Sequence, residues 1–126
     1  MGQEFARLRV LLVEHQAPIA ADIANILSQQ GCVVLGPVPT IEAAIDLNRT
    51  SCPDLVITNI TLRACMAHPL LQKLNERGVP YIVMTGGPED AAFSHTEGAL
   101  FLQKPIEESA LIQALRAVVS ERERAD

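Results

Sequence analysis

A chain of 126 residues, 48% hydrophobic and 20% charged, has the size of one domain and enough apolar matter for a packed core. A formal net charge of -5, one Tyr, three Phe and no Trp argue against a nucleic-acid-binding surface. Cys32, Cys52 and Cys65 are widely spaced and form no Cys-x-x-Cys pair, so reduced thiols in a cytoplasmic protein are expected rather than a disulfide framework. Glu14 and His15 cut the apolar run Val10 to Val13 too early for an export signal, and no stretch is long enough to span a membrane.

In chain order, Leu8 to Val13 reads as a first strand. Pro18 to Gln30 carries Ile19, Ile23, Ile26 and Leu27 at helical spacing, and Gly31 stops it. Cys32 to Leu35 is strand-like, and Gly36-Pro37 marks a turn. Thr40 caps a helix with Ile41, Ala44, Ile45 and Leu47, which Ser51 to Pro53 breaks. Leu55 to Thr58 is a third strand, Pro69 to Arg77 a helix closed by Gly78, and Tyr81 to Met84 a fourth strand. Pro88 to His95 forms a short, poor helix, Leu100 to Gln103 a fifth strand, and Glu107 to about Glu123 a long final helix.

Strands alternating with helices imply a parallel sheet, right-handed crossovers and helices on both faces. The expected fold is therefore α/β: a flavodoxin-like, doubly wound (βα)5 three-layer sandwich with strand order 2-1-3-4-5. One domain is expected over residues 1–126, with its core at about 8–120 and no room for an output domain. Sheets of this kind keep their sites at the carboxyl ends of the strands, beside the switch point between the first and third. Those tips carry Glu14 and His15, Thr58 and Asn59, Thr85 with Gly86 and Gly87, and Lys104 with Pro105. A buried amine is costly unless it is paired, and the natural partner of Lys104 is Glu14.

The segments VLLVEHQ, PDLVITNITL, VPYIVMTGGPED and FLQKPIEESALIQAL resemble bacterial response regulator receiver domains, from about Arg9 to Val119. The stretch MTGG is similar to an atypical subgroup with a Thr-Gly step, frequent in alphaproteobacteria. In that family a histidine kinase passes a phosphoryl group to an aspartate at the tip of the third strand. Two acids at the tip of the first strand help to bind Mg²⁺, a hydroxyl and a lysine contact the phosphoryl oxygens, and an aromatic residue reorients. By this resemblance the acceptor position is Asn59, the acid pair Glu14 and His15, the hydroxyl Thr85, the lysine Lys104 and the aromatic Phe101.

Two of these positions depart from the pattern. A carboxylate attacks a phosphoryl group, whereas the amide of Asn59 forms no acyl phosphate. Mg²⁺ prefers oxygen ligands, and the imidazole of His15 suits zinc or nickel better. A Glu14–His15 metal site is itself disfavoured, because adjacent residues on a strand point to opposite faces. Three acids and a lysine would sum to a charge of minus two, whereas Glu14 and Lys104 alone sum to zero, so no ion is needed to relieve repulsion. The resulting expectation is a degenerate receiver, a pseudo-receiver that is not an enzyme, holds no cofactor and binds Mg²⁺ weakly or not at all.

Blander readings stand beside these. Thr85 and Lys104 are then relics, with Lys104 and Glu14 bracing the pocket, Phe101 is a fixed plug, and His15 is a loop residue making a local hydrogen bond rather than a pH switch. The expected partners are a histidine kinase, a phosphotransfer protein or a second copy in a homodimer, with no nucleic acid and no membrane. The family's docking surface puts Ile19, Ile23 and their neighbours on the first helix among the candidate contacts. Three alternatives remain: an engineered Asn59 in a phosphorylatable protein, a hydroxyl acceptor at Thr58, Thr61 or Thr85, and a small-ligand-binding flavodoxin-like module.

Overall fold

Five parallel strands form one sheet in a computed structural model that describes residues 5–62, 65–86 and 100–125. The elements are β1 (Arg9–Val13), α1 (Ala17–Gln29), β2 (Val33–Val38), α2 (Ile41–Ser51), β3 (Leu55–Asn59), β4 (Thr61–Leu62), β5 (Cys65–Met66), α3 (His68–Arg77), β6 (Tyr81–Thr85), β7 (Leu100–Gln103) and α4 (Glu108–Ala125). The sheet order is β2-β1-β3-β6-β7, which is the expected 2-1-3-4-5 with β6 and β7 as the fourth and fifth strands. All four pairings are parallel. The helix expected at 88–95 lies outside the described residues.

The strand sequences follow from burial on both faces. Val10, Leu12, Leu55, Ile57, Ile82 and Met84 point to one side and pack with α1 and α4. Leu11, Val13, Val56, Tyr81 and Val83 point to the other and pack with α2 and α3. A central parallel strand has no polar face, so it reads as a continuous apolar run. Each such side chain contributes about 1.5–3 kcal/mol on burial. Phe5, ahead of the expected core, is buried in the α1/α4 cluster as well. Among the described residues, no helix is long and apolar enough to cross a membrane.

The helix ends obey local chemistry. Thr40 caps α2, its hydroxyl oxygen accepting the Ala43 N–H at 3.1 Å. Gly31 after α1 and Gly78 after α3 take the left-handed conformation, with φ of 89° and 70°.

Two features depart from the sequence reading. The Gly36-Pro37 step does not end the second strand, which continues to Val38. Leu11 faces Leu35 and Val13 faces Val38, so β2 carries one extra residue, a bulge. Gly36 makes the bulge possible: its φ is +92°, and an added Cβ would lie 2.8 Å from Val38 N and 3.0 Å from Leu12 O. Beyond the bulge, the Val38 carbonyl accepts the Glu14 N–H at 3.0 Å, so the bulge aims the tip of β1. The second feature is a two-residue antiparallel hairpin directly after β3, in which Thr61 pairs with Met66 and Leu62 with Cys65.

Gly36→Ala is therefore expected to lower the unfolding free energy by about 1 kcal/mol or more. A urea titration showing unchanged stability would contradict the bulge geometry.

Candidate functional site at the strand tips

β1 and β3 run side by side, Val13 facing Thr58, so the residues that follow, Glu14 and Asn59, sit on adjacent tips. The Glu14 side chain is 0% exposed, and it is the centre of the site. Lys104 Nζ donates to Glu14 Oε1 at 2.7 Å, and the Gln16 N–H donates to Oε2 at 3.0 Å. Lys104 is itself mostly buried, its side chain 18% exposed. Its backbone N–H donates to the Thr85 carbonyl at 2.8 Å, which seats the end of β7 against the tip of β6. Gly86 lies along the lysine stem, where an added Cβ would come 3.5 Å from Lys104 Cδ. The expected Glu14–Lys104 pair is thus present.

Burial alone would raise the Glu14 pKa. The hydrogen bonds from Lys104 and Gln16, the nearby Asn59 side chain and the Lys104 charge outweigh burial and hold it below its ordinary 4.5. Asn59 is 3% exposed and faces this carboxylate, yet neither of its amide atoms closes a hydrogen bond of ordinary length and angle. A buried polar group left without a partner costs about 1–3 kcal/mol.

His15 corrects one expectation. β1 ends at Val13, so Glu14 and His15 lie beyond the strand and its alternation does not govern them. His15 Nδ1 comes within 3.7 Å of Glu14 Oε2, on the same side. The expected local hydrogen bond is missing at this nitrogen, which is buried and unpartnered. Two residues do not make a chelating cluster, and no group of three His, Cys, Asp or Glu side chains among the described residues could hold a metal ion.

Other candidates fall into place around this centre. Thr85 is half-buried at the end of β6. Thr58 is fully buried and its hydroxyl donates to the Asn59 carbonyl at 3.0 Å, which leaves it no exposed oxygen for phosphorylation. The side chain of Thr61 lies outside the described residues. Phe101, opposite Val83 on β7, packs partly buried against the α2/α3 cluster. Ile23 is buried in the opposite cluster with Ile19 packed partly buried against it, whereas Ala17, Pro18, Ala21 and Asp22 of α1 are exposed. A groove of about 350 Å³ opens beside Glu14 and His15, walled by alanines of α1 and by Pro37 and Pro39. Cys32 is buried, which pushes its thiol up to about 11, and Cys52 is exposed.

Sequence reasoning missed Gln16. Its contribution is a backbone N–H, and residue identity carries no signal for that. The usable cue was position: Gln16 is the N-cap of α1, its own side chain makes no capping bond, and the acid two residues earlier takes its N–H.

A family model for the response regulator receiver domain matches residues 10–116, and the chain belongs to that family. It is a receiver domain of two-component signalling. The transcriptional regulatory protein PdtaR of Mycobacterium tuberculosis is 28% identical over 116 residues, covering 89% of this chain and 57% of PdtaR. The chain thus spans little more than half the length of that curated relative. Among solved structures, SdrG from Sphingomonas melonis Fr1 is 26% identical with a TM-score of 0.80, over 90% of this chain and 97% of its own. The receiver domain of the sensor histidine kinase PA1611 from Pseudomonas aeruginosa PAO1, solved with a magnesium ion coordinated in its active site cleft, shares the fold. Its TM-score is 0.78 at 20% identity, over 91% of this chain and 99% of that one.

The Glu14–Lys104 pair has a defined pH signature. The folded pKa of Glu14 lies below 4.5, so its contribution is complete above 4.5 and is lost as pH falls through the folded value. Lys104→Met should cost about 3 kcal/mol at neutral pH, because a buried carboxylate is left unpaired. Urea titrations across the acid range should show the gap between wild type and variant closing as pH falls. A gap that is constant with pH would contradict the pairing.

Proposed function

We propose that this receiver domain signals without aspartyl phosphorylation, as a cytoplasmic docking module of a two-component system and not as an enzyme. The observation that carries the reading is Asn59. It stands on the tip of β3, beside the Glu14 carboxylate and its Lys104 partner, where the family places its acceptor aspartate. An amide has no anionic oxygen to attack a phosphoryl group, and it cannot form the mixed anhydride that transfer requires. The buried Thr58 hydroxyl offers no substitute nearby.

The reading is supported by the scaffold around Asn59, where Thr85 ends β6, Lys104 bonds Glu14 and α1 presents an exposed face beside the cleft. A histidine kinase or phosphotransfer protein that recognises receivers by shape would dock on such a surface. It would find no acceptor there. The chain then acts by occupancy, competing with receivers that can be phosphorylated. The net charge of -5 fits neither nucleic acid nor an anionic membrane surface as a partner.

Incubation with acetyl phosphate and Mg²⁺, followed by intact-mass measurement, should leave the mass unchanged. A gain of one phosphoryl group on the wild-type chain would sink the reading. Added to a phosphorylated kinase together with a competent receiver, the chain should slow phosphotransfer in proportion to its concentration.

A further inference from the structure

The Mg²⁺ of a receiver cleft needs charged oxygens with lone pairs free to face it. Mg²⁺ takes near-octahedral oxygen ligands at roughly 2.0–2.1 Å and sheds its water reluctantly. Among the described residues, the one carboxylate at the tips of β1 and β3 is Glu14, and each of its oxygens already accepts a hydrogen bond, Oε1 from the Lys104 ammonium at 2.7 Å and Oε2 from the Gln16 N–H at 3.0 Å. The next donor along the chain is a nitrogen, His15 Nδ1, 3.7 Å from Oε2. The adjacent tip offers a neutral amide, Asn59. An entering Mg²⁺ would share Glu14 with the ammonium on Oε1 and the N–H on Oε2 and sit close to the Lys104 charge, with no second carboxylate among the described residues of these tips to offset it. The residues present do not fit the ion.

We infer that this cleft excludes Mg²⁺ and that Lys104 takes the ion's place, a built-in cation locked to Glu14 that holds the strand tips in one arrangement. Lys104 is a positioning residue. It reaches from the loop after β7 to the end of β1, while its own N–H ties that loop to Thr85 on β6. The outer strand and the first strand are thereby braced without any exchangeable ion. The consequence for function rests on the docking reading: the surface shown to a partner is the same whether Mg²⁺ is abundant or chelated.

The test is a titration of the isotope-labelled chain with millimolar MgCl₂, reading the Gln16 backbone N–H and the Asn59 side-chain NH₂ by NMR, with thermal unfolding in parallel. Neither signal should show a saturable shift, and the unfolding midpoint should not move. In Lys104→Met the carboxylate is opened, so the Gln16 signal becomes sensitive to Mg²⁺ and the unfolding midpoint rises with MgCl₂. Lys104→Arg restores the indifference. A lysine with only a packing role would produce no such change in ion response.

Saturable Mg²⁺ binding at these groups in the wild-type chain would overturn the inference. So would a Lys104→Met variant that folds yet stays blind to Mg²⁺. Should that variant fail to fold, His15→Asp combined with Asn59→Asp decides. With the oxygen donors restored the chain should bind Mg²⁺, and failure to bind would overturn the account of the donor set. The two readings fail separately. Phosphorylation of the wild-type chain alongside a flat Mg²⁺ titration removes the docking reading alone. Mg²⁺ binding without phosphorylation removes only this one.

Discussion

A carboxylate with no exposed surface must be neutralised where it stands, and the arrangement of the strand tips follows from that requirement. Removing an ion from water costs several kcal/mol even after relaxation. Glu14 meets the cost with a 2.7 Å bond to an ammonium and a 3.0 Å bond to a backbone N–H. The ammonium comes from the far side of the sheet, from the residue after β7. The parallel order makes this possible, because all five strands deliver their carboxyl ends to the same edge.

The charge at this edge explains why Asn59 is tolerated. An aspartate there would place a second negative charge beside Glu14, and one lysine could not balance both. The amide removes that repulsion and leaves a pair that sums to zero. The gain is partly offset, since both amide atoms are buried without a hydrogen-bond partner. An apolar side chain would avoid that penalty. What an amide retains over an apolar side chain is the size and outline of an aspartate, which is the property a partner reading shape would require.

Most of the fold was legible because its strongest elements carry their own signal. β1, β3 and β6 are buried on both faces and read as apolar β-branched runs. Thr40, Gly31 and Gly78 mark helix ends by chemistry that is local to each residue. β2 was shortened because Gly36-Pro37 is read as a turn, whereas here the glycine accommodates a bulge that only the facing strand defines. The β4–β5 hairpin left no trace, since two residues show no periodicity. At the site, the Glu14–Lys104 pair could be deduced because a buried amine requires an acid and the strand-tip rule leaves one candidate. The approach of His15 could not. The alternation rule holds inside a strand, and β1 ends before His15. Ile23 was misassigned for a different reason: its helical spacing already marked it as core, and the family's docking surface outweighed that signal.

The separation between core and tips also sets what the fold can testify to. The two apolar clusters fill both faces of the sheet and reach the tips only at their ends. At about 1.5–3 kcal/mol for each buried apolar side chain, they outweigh any single polar contact at the cleft. Substitutions at the tips can therefore abolish or redirect the chemistry while the scaffold persists. That is consistent with a TM-score of 0.80 to SdrG at only 26% identity. Fold likeness identifies the family and is silent about whether this member is phosphorylated. In the proposed reading that question turns on Asn59, whose nitrogen stands where an aspartate would carry its second oxygen.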